Sequence, residues 1–138
     1  MPQFPPLPSW DAMHPLLIHF PIVLLLIVPL FAVIAAFLQP PRNRPYLTVA
    51  LLLLLLGTAS LFLAASSGEQ AAELADRPGG VNAVLTAHES LASVSKIFFS
   101  ALSVLFMGLY LWPWIWRRPQ SRKAFILPTV AFIAIYSV

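Results

Sequence analysis

The chain has 138 residues, 59% of them hydrophobic and only 9% charged, with a mean hydropathy of +0.85. A soluble domain carries about a quarter charged residues, so the composition places this chain in a membrane. The net charge of +3 comes from basic residues that flank apolar runs, not from an interleaved basic and aromatic surface, which argues against nucleic-acid binding. The absence of cysteine excludes disulfides, thiolate metal sites, iron–sulfur ligation and covalent haem attachment, so any metal or haem must be held by His, carboxylate or Met.

Residues 1–13 are rich in proline and read as an extended arm, with Trp10 at the level of the lipid headgroups. A first helix is predicted from His14 to Leu38, with Pro15 at its first turn, where the missing N–H costs nothing. Pro21 and Pro29 lie inside it and leave the carbonyls of Leu17 and Leu25 without their usual donors. Kinks facing the protein interior are therefore expected. A second helix starts near Tyr46. Its later half carries Gly57, Ser60, Ala64 and Gly68 at helical spacing, a stripe that admits a close neighbouring helix or leaves room for a flat cofactor. Good helix formers after Ser67 carry it past the membrane before a turn at Arg77 to Gly80, so that a helical hairpin projects. A third helix runs from about Asn82 to Trp116, roughly 50 Å by the helical rise and longer than the hydrocarbon core, ending in an interfacial anchor of tryptophans and arginines. The last apolar run, Ala124 to Val138, is short for a complete span. The fold class is thus an all-α integral membrane helical bundle, 14–138, of three full transmembrane helices and a short fourth, with the N-terminus outside.

That orientation comes from the charges. Arg42 and Arg44 follow one apolar run, and Arg117, Arg118, Arg122 and Lys123 follow another. Arginine and lysine collect on the cytoplasmic side of a membrane. The acids Asp11, Glu69, Glu73, Asp76 and Glu89 and all three histidines, His14, His19 and His88, then fall on the outer side.

His14 and His19 begin the first helix and His88 begins the third, which runs in the same direction. Two chemistries can use them. His88 with His19 or His14 can supply the axial imidazoles of a b-type haem lodged between those two helices, in the space left by the small stripe. Alternatively, all three imidazoles with Glu69 or Glu89 can coordinate a metal ion such as copper, zinc or iron. The bland reading makes them local hydrogen-bonding groups: His14 a cap, His19 a partner for a freed carbonyl, His88 solvated. His14 and His88 are expected at similar height, and the two helices at adjacent positions. His14 and His19 lie about 140° apart around an ideal helix, so only a bent chain turns both to one point. Lys96, inside an apolar stretch, either snorkels to the headgroups or meets a carboxylate or propionate. No nucleophile and base pair is visible, so independent catalysis is not expected.

The segment HPLLIHFPIVLL, residues 14–25, resembles the signature of DUF2231, a family of small bacterial four-helix membrane proteins of unknown function. The resemblance extends to the small residues of the second helix and to the histidine of TAHESLA, residues 86–92. After His88 the chain has Glu-Ser-Leu-Ala where related domains tend to have an aromatic residue and a glycine. Members often occur beside cytochrome c or Rieske domains, and the resemblance therefore implies redox work. Together these readings give a multi-pass protein of the bacterial inner membrane with its histidine site facing the periplasm. It acts as a redox or accessory subunit in electron transport, holding a b-type haem, a His-bound metal ion or no cofactor, with a larger membrane complex or a cytochrome as partner. The competing class is a cofactor-free structural subunit of a respiratory or photosynthetic complex.

Overall fold

The computed structural model describes residues 8–74, 81–115, 131 and 134–136. A 3-10 turn, Asp11–Met13, leads into α1 (His14–Leu17), α2 (His19–Phe37), α3 (Arg44–Leu74) and α4 (Val81–Ile115). Among the described residues there is no strand. Three segments of the described residues are long and apolar enough to cross a membrane: Asp11–Phe37, Arg44–Glu73 and Val81–Trp112. The far end of the proline arm, the turn at Arg77 to Gly80, the patch from Arg117 to Lys123 and most of the short fourth element lie outside the described residues.

The first helix is not continuous. It breaks at Ile18, between α1 and α2, because Pro21 has no N–H to offer the Leu17 carbonyl one turn earlier. Pro29, by contrast, sits within α2 without ending it. The Leu25 carbonyl it deprives accepts a hydrogen bond from the Tyr136 hydroxyl instead, and a neighbouring element thus satisfies a backbone group that lipid cannot.

α3 is the centre of the bundle. On one side it packs along α1 and α2, and on the other along α4, while α4 makes no close backbone contact with α1 or α2. The core unites Leu25, Val28, Ala32 and Ala35 of α2 with Leu47, Ala50, Leu51 and Leu54 of α3 and with Leu102 and Phe106 of α4. Alanines at 32, 35 and 50 and glycine at 57 bring the two backbones close, so dispersion between them replaces the hydrophobic drive that lipid removes. A Cβ on Gly57 would stand 2.7 Å from Leu25 Cδ2. Polar contacts at three levels fix α4 antiparallel on α3: Thr48 with Tyr110 at 2.8 Å, Thr58 with Ser103 at 3.0 Å, and Glu69 with Lys96 at 3.4 Å. Tyr136 closes the remaining side, meeting α2 at Leu25 and α4 through an edge contact with Phe99, ring centroids 5.6 Å apart.

The expectation that the first and third spans are adjacent is therefore corrected. They run in the same direction, each packed along α3 without close backbone contact with the other, and the small stripe faces the first span rather than both.

Candidate functional site

The stripe and the histidines meet where α1 begins. The His14 ring lies on Gly68, where a Cβ would come within 2.7 Å of its Cε1, so only glycine admits the imidazole. Its Nδ1 is 2.9 Å from the Ala64 carbonyl oxygen and 3.0 Å from Ser67 Oγ. A carbonyl can only accept, so Nδ1 carries the proton and donates to both oxygens. The Ser67 hydroxyl in turn donates to the Ala64 carbonyl at 2.8 Å. Ser67 is fully buried, and its hydroxyl both donates and accepts a hydrogen bond.

His19 follows the break at Ile18 and is exposed. Its Nδ1 donates to the Pro15 carbonyl at 2.7 Å, which fixes the same tautomer as in His14. With Nδ1–H so committed, the neutral form of either ring has its lone pair on Nε2. A carbonyl on one ring nitrogen is the usual support for a histidine that binds metal through the other.

His88 stands apart. It is exposed on α4, which makes no close backbone contact with α1 or α2. The height expectation also fails. His14 lies level with Gly68, and the adjoining Glu69 pairs with Lys96, so His88 is about 12 Å further along α4 by the helical rise. Among the described residues no three His, Asp or Glu side chains come together, and the expected set of three imidazoles with Glu69 or Glu89 is not assembled. Of the two uses expected for the stripe, a close neighbouring helix or room for a flat cofactor, the packing of Leu24 and Leu25 on Gly57 and of His14 on Gly68 gives the first, and a macrocycle does not fit there. The donor chemistry of His14 and His19 does fit an imidazole-bound ion.

Lys96 has the carboxylate partner that was one of its two readings. The pair is largely open, with side-chain exposures of 23% and 63%, and exposed pairs of this kind contribute at most about 1 kcal/mol. Beside it, Phe62, Ser93, Lys96, Ile97 and Ser100 line an open groove between α3 and α4, with no histidine on its walls. Two side chains escaped the sequence reading. Ser67 carried a signal, its position one turn after Ala64 and beside Gly68, whereas Tyr136 could be found only by asking which donor answers the freed Leu25 carbonyl.

Comparison with known proteins adds the family. A family model described as "Predicted membrane protein (DUF2231)" matches residues 11–138. The chain belongs to the DUF2231 family. No curated protein and no solved structure matches it. The match takes in the HPLLIH turn, α3, α4 and the segment that carries Tyr136, so the histidine end and the elements that build it all lie within this DUF2231 region.

Proposed function

We propose that this protein is a small accessory subunit of the bacterial inner membrane whose histidine end, facing the periplasm, binds a metal ion or a b-type haem through imidazole Nε2 in support of electron transport. The observation that carries the reading is the fixed tautomer of His19 and His14. Each commits Nδ1–H to a backbone carbonyl, so that the neutral ring offers Nε2, the form in which imidazole ligates. His19 is the first-choice ligand because its ring is exposed, and His14 is the second because its ring is held in place by Ala64, Ser67 and Gly68. Bound there, a transition metal would supply one-electron chemistry, and a larger membrane complex or a cytochrome would be the partner in that exchange.

A second reading has an observation of its own. His14 already serves as a latch that joins α1 to α3, and a subunit that uses its histidines only in this way needs no cofactor and acts as a structural member of a larger complex. The full chain purified from its native membrane separates the two. Bound metal measured by elemental analysis, or a haem absorption band that changes on reduction, with loss of either in His19→Ala, supports the first reading. Protein that carries neither, and a His19→Ala variant that assembles with the parent complex as the parent chain does, gives the second.

A further inference from the structure

Ser93, Lys96, Ile97 and Ser100 follow one another at i, i+3, i+4 and i+7 and so share one face of α4. With Phe62 of α3 they line the open groove, of about 440 Å³, beside the Lys96–Glu69 pair, a volume within the range of small-ligand sites. The described part of the last element lies elsewhere: Tyr136 meets Leu25 and Phe99, and neither of these lines the groove.

The level of the groove follows from the contacts between helices. His14 stands at Gly68 and Lys96 at Glu69, while Thr48 meets Tyr110 at the other end. From Thr48 to Gly68 along α3 is about 30 Å by the helical rise, the thickness of a hydrocarbon core. Consistently, the span Asp11–Phe37 begins within about a turn of His14, and the span Arg44–Glu73 ends within about a turn of Glu69. The Lys96–Glu69 pair therefore lies at one boundary of the core, where phospholipid headgroups sit. The groove runs inward from it: Ser100 is about 6 Å deeper than Lys96, and Phe62 about 10 Å deeper than Glu69. The pair itself is incompletely matched. An ammonium has three donors, and Lys96 directs one to a carboxylate oxygen 3.4 Å away, beyond the roughly 2.7–2.9 Å of a charge-assisted hydrogen bond. The Lys96 side chain is only 23% exposed, and that of Glu69 is 63% exposed.

We propose that this groove binds one phospholipid with a primary-ammonium headgroup, its phosphate on Lys96 and Ser93, its ammonium on Glu69, an ester carbonyl at Ser100 and an acyl chain along Ile97 and Phe62. The order of the lining residues with depth, charged, then hydroxyl, then aromatic, is the order of groups along such a lipid. Charge complementarity selects the headgroup. A cation in an apolar setting requires an anion, which the phosphate supplies to Lys96. A lipid with phosphate as its only charge would set a net negative charge beside Glu69, whereas a zwitterion answers both members of the pair. A quaternary ammonium has no N–H for the carboxylate, so phosphatidylcholine lacks a hydrogen bond that phosphatidylethanolamine makes. The site is independent of any cofactor.

The test reconstitutes the full-length protein in vesicles of equal parts dioleoyl phosphatidylethanolamine, phosphatidylglycerol and phosphatidylcholine, and reads the lipid that stays bound in mild detergent by native mass spectrometry. One phosphatidylethanolamine per chain is expected, retained about tenfold over either of the others. Lys96→Gln is expected to lower that retention about tenfold. Ile97→Trp, which fills the groove from an exposed position outside the core, is expected to abolish it, and Leu26→Trp, equally open on α2, to leave it unchanged. Glu69→Gln is expected to remove the preference for phosphatidylethanolamine over phosphatidylglycerol. Helix content and unfolding temperature in detergent identify the variants that keep the fold. Equal retention of the three lipids by the parent chain, a preference for phosphatidylglycerol, or unchanged retention in folded Lys96→Gln or folded Ile97→Trp would overturn the proposal.

Discussion

At the residue scale, the contacts that matter are those in which one atom has no substitute. Gly68→Ala places a methyl group 2.7 Å from His14 Cε1, and the ring cannot retreat without losing the Ala64 carbonyl. We expect a loss of about 1–3 kcal/mol of stability, seen as a lowered unfolding temperature in detergent, with no such loss for Gly108→Ala, where a Cβ meets nothing within 4 Å. Asn43 is the opposite case. It is fully buried ahead of α3, and among the described residues neither its amide nitrogen nor its amide oxygen has a partner. Because a buried unpaired polar group costs about 1–3 kcal/mol, Asn43→Leu is expected to raise the unfolding temperature. Neither position could be graded from sequence: glycines 57, 68 and 108 look alike there, and only the packing distinguishes the two that admit a neighbour from the one that does not.

At the scale of elements, the prolines of the first span show how far the sequence carries. Both freed carbonyls are deducible from residue order, and both have consequences: a break at Ile18 for one, an outside donor for the other. The identity of that donor was not legible, because Tyr136 is distant in sequence and its partnership depends on which helices are neighbours. The coupling is measurable by a double-mutant cycle. Tyr136→Phe alone should destabilise by about 1–3 kcal/mol, since it leaves the Leu25 carbonyl unanswered. In a Pro29→Ala background, where residue 29 regains the N–H for that carbonyl, the same change should cost measurably less; equal costs in both backgrounds would remove Tyr136 from this role. The small stripe gives a further comparison. Gly57→Leu is expected to damage the α2–α3 contact more than Leu53→Ala, because Leu25 closes over Gly57 while Leu53 is only half-buried.

At the scale of the whole molecule, hydropathy and charge suffice for three spans, their order and a bundle, because the bilayer imposes length and periodicity on any chain that crosses it. They do not suffice for which spans touch. In a bundle of alternating direction the first and third spans run in the same direction whether they are neighbours or separated, and the reading that joined His88 to His14 and His19 chose the wrong arrangement on a point that composition does not encode. α3, whose glycines and hydroxyls serve both flanks, occupies the central place instead. The claim on which the functional reading rests is that the histidines and acids occupy the membrane face opposite the arginines. It is tested most directly by labelling single cysteines at Arg44 and Glu73, both exposed, with a membrane-impermeant maleimide added to intact cells. The account predicts that Glu73→Cys is labelled at once and Arg44→Cys only after the membrane is permeabilised. The reverse pattern would contradict it, and with it the outward-facing histidine site.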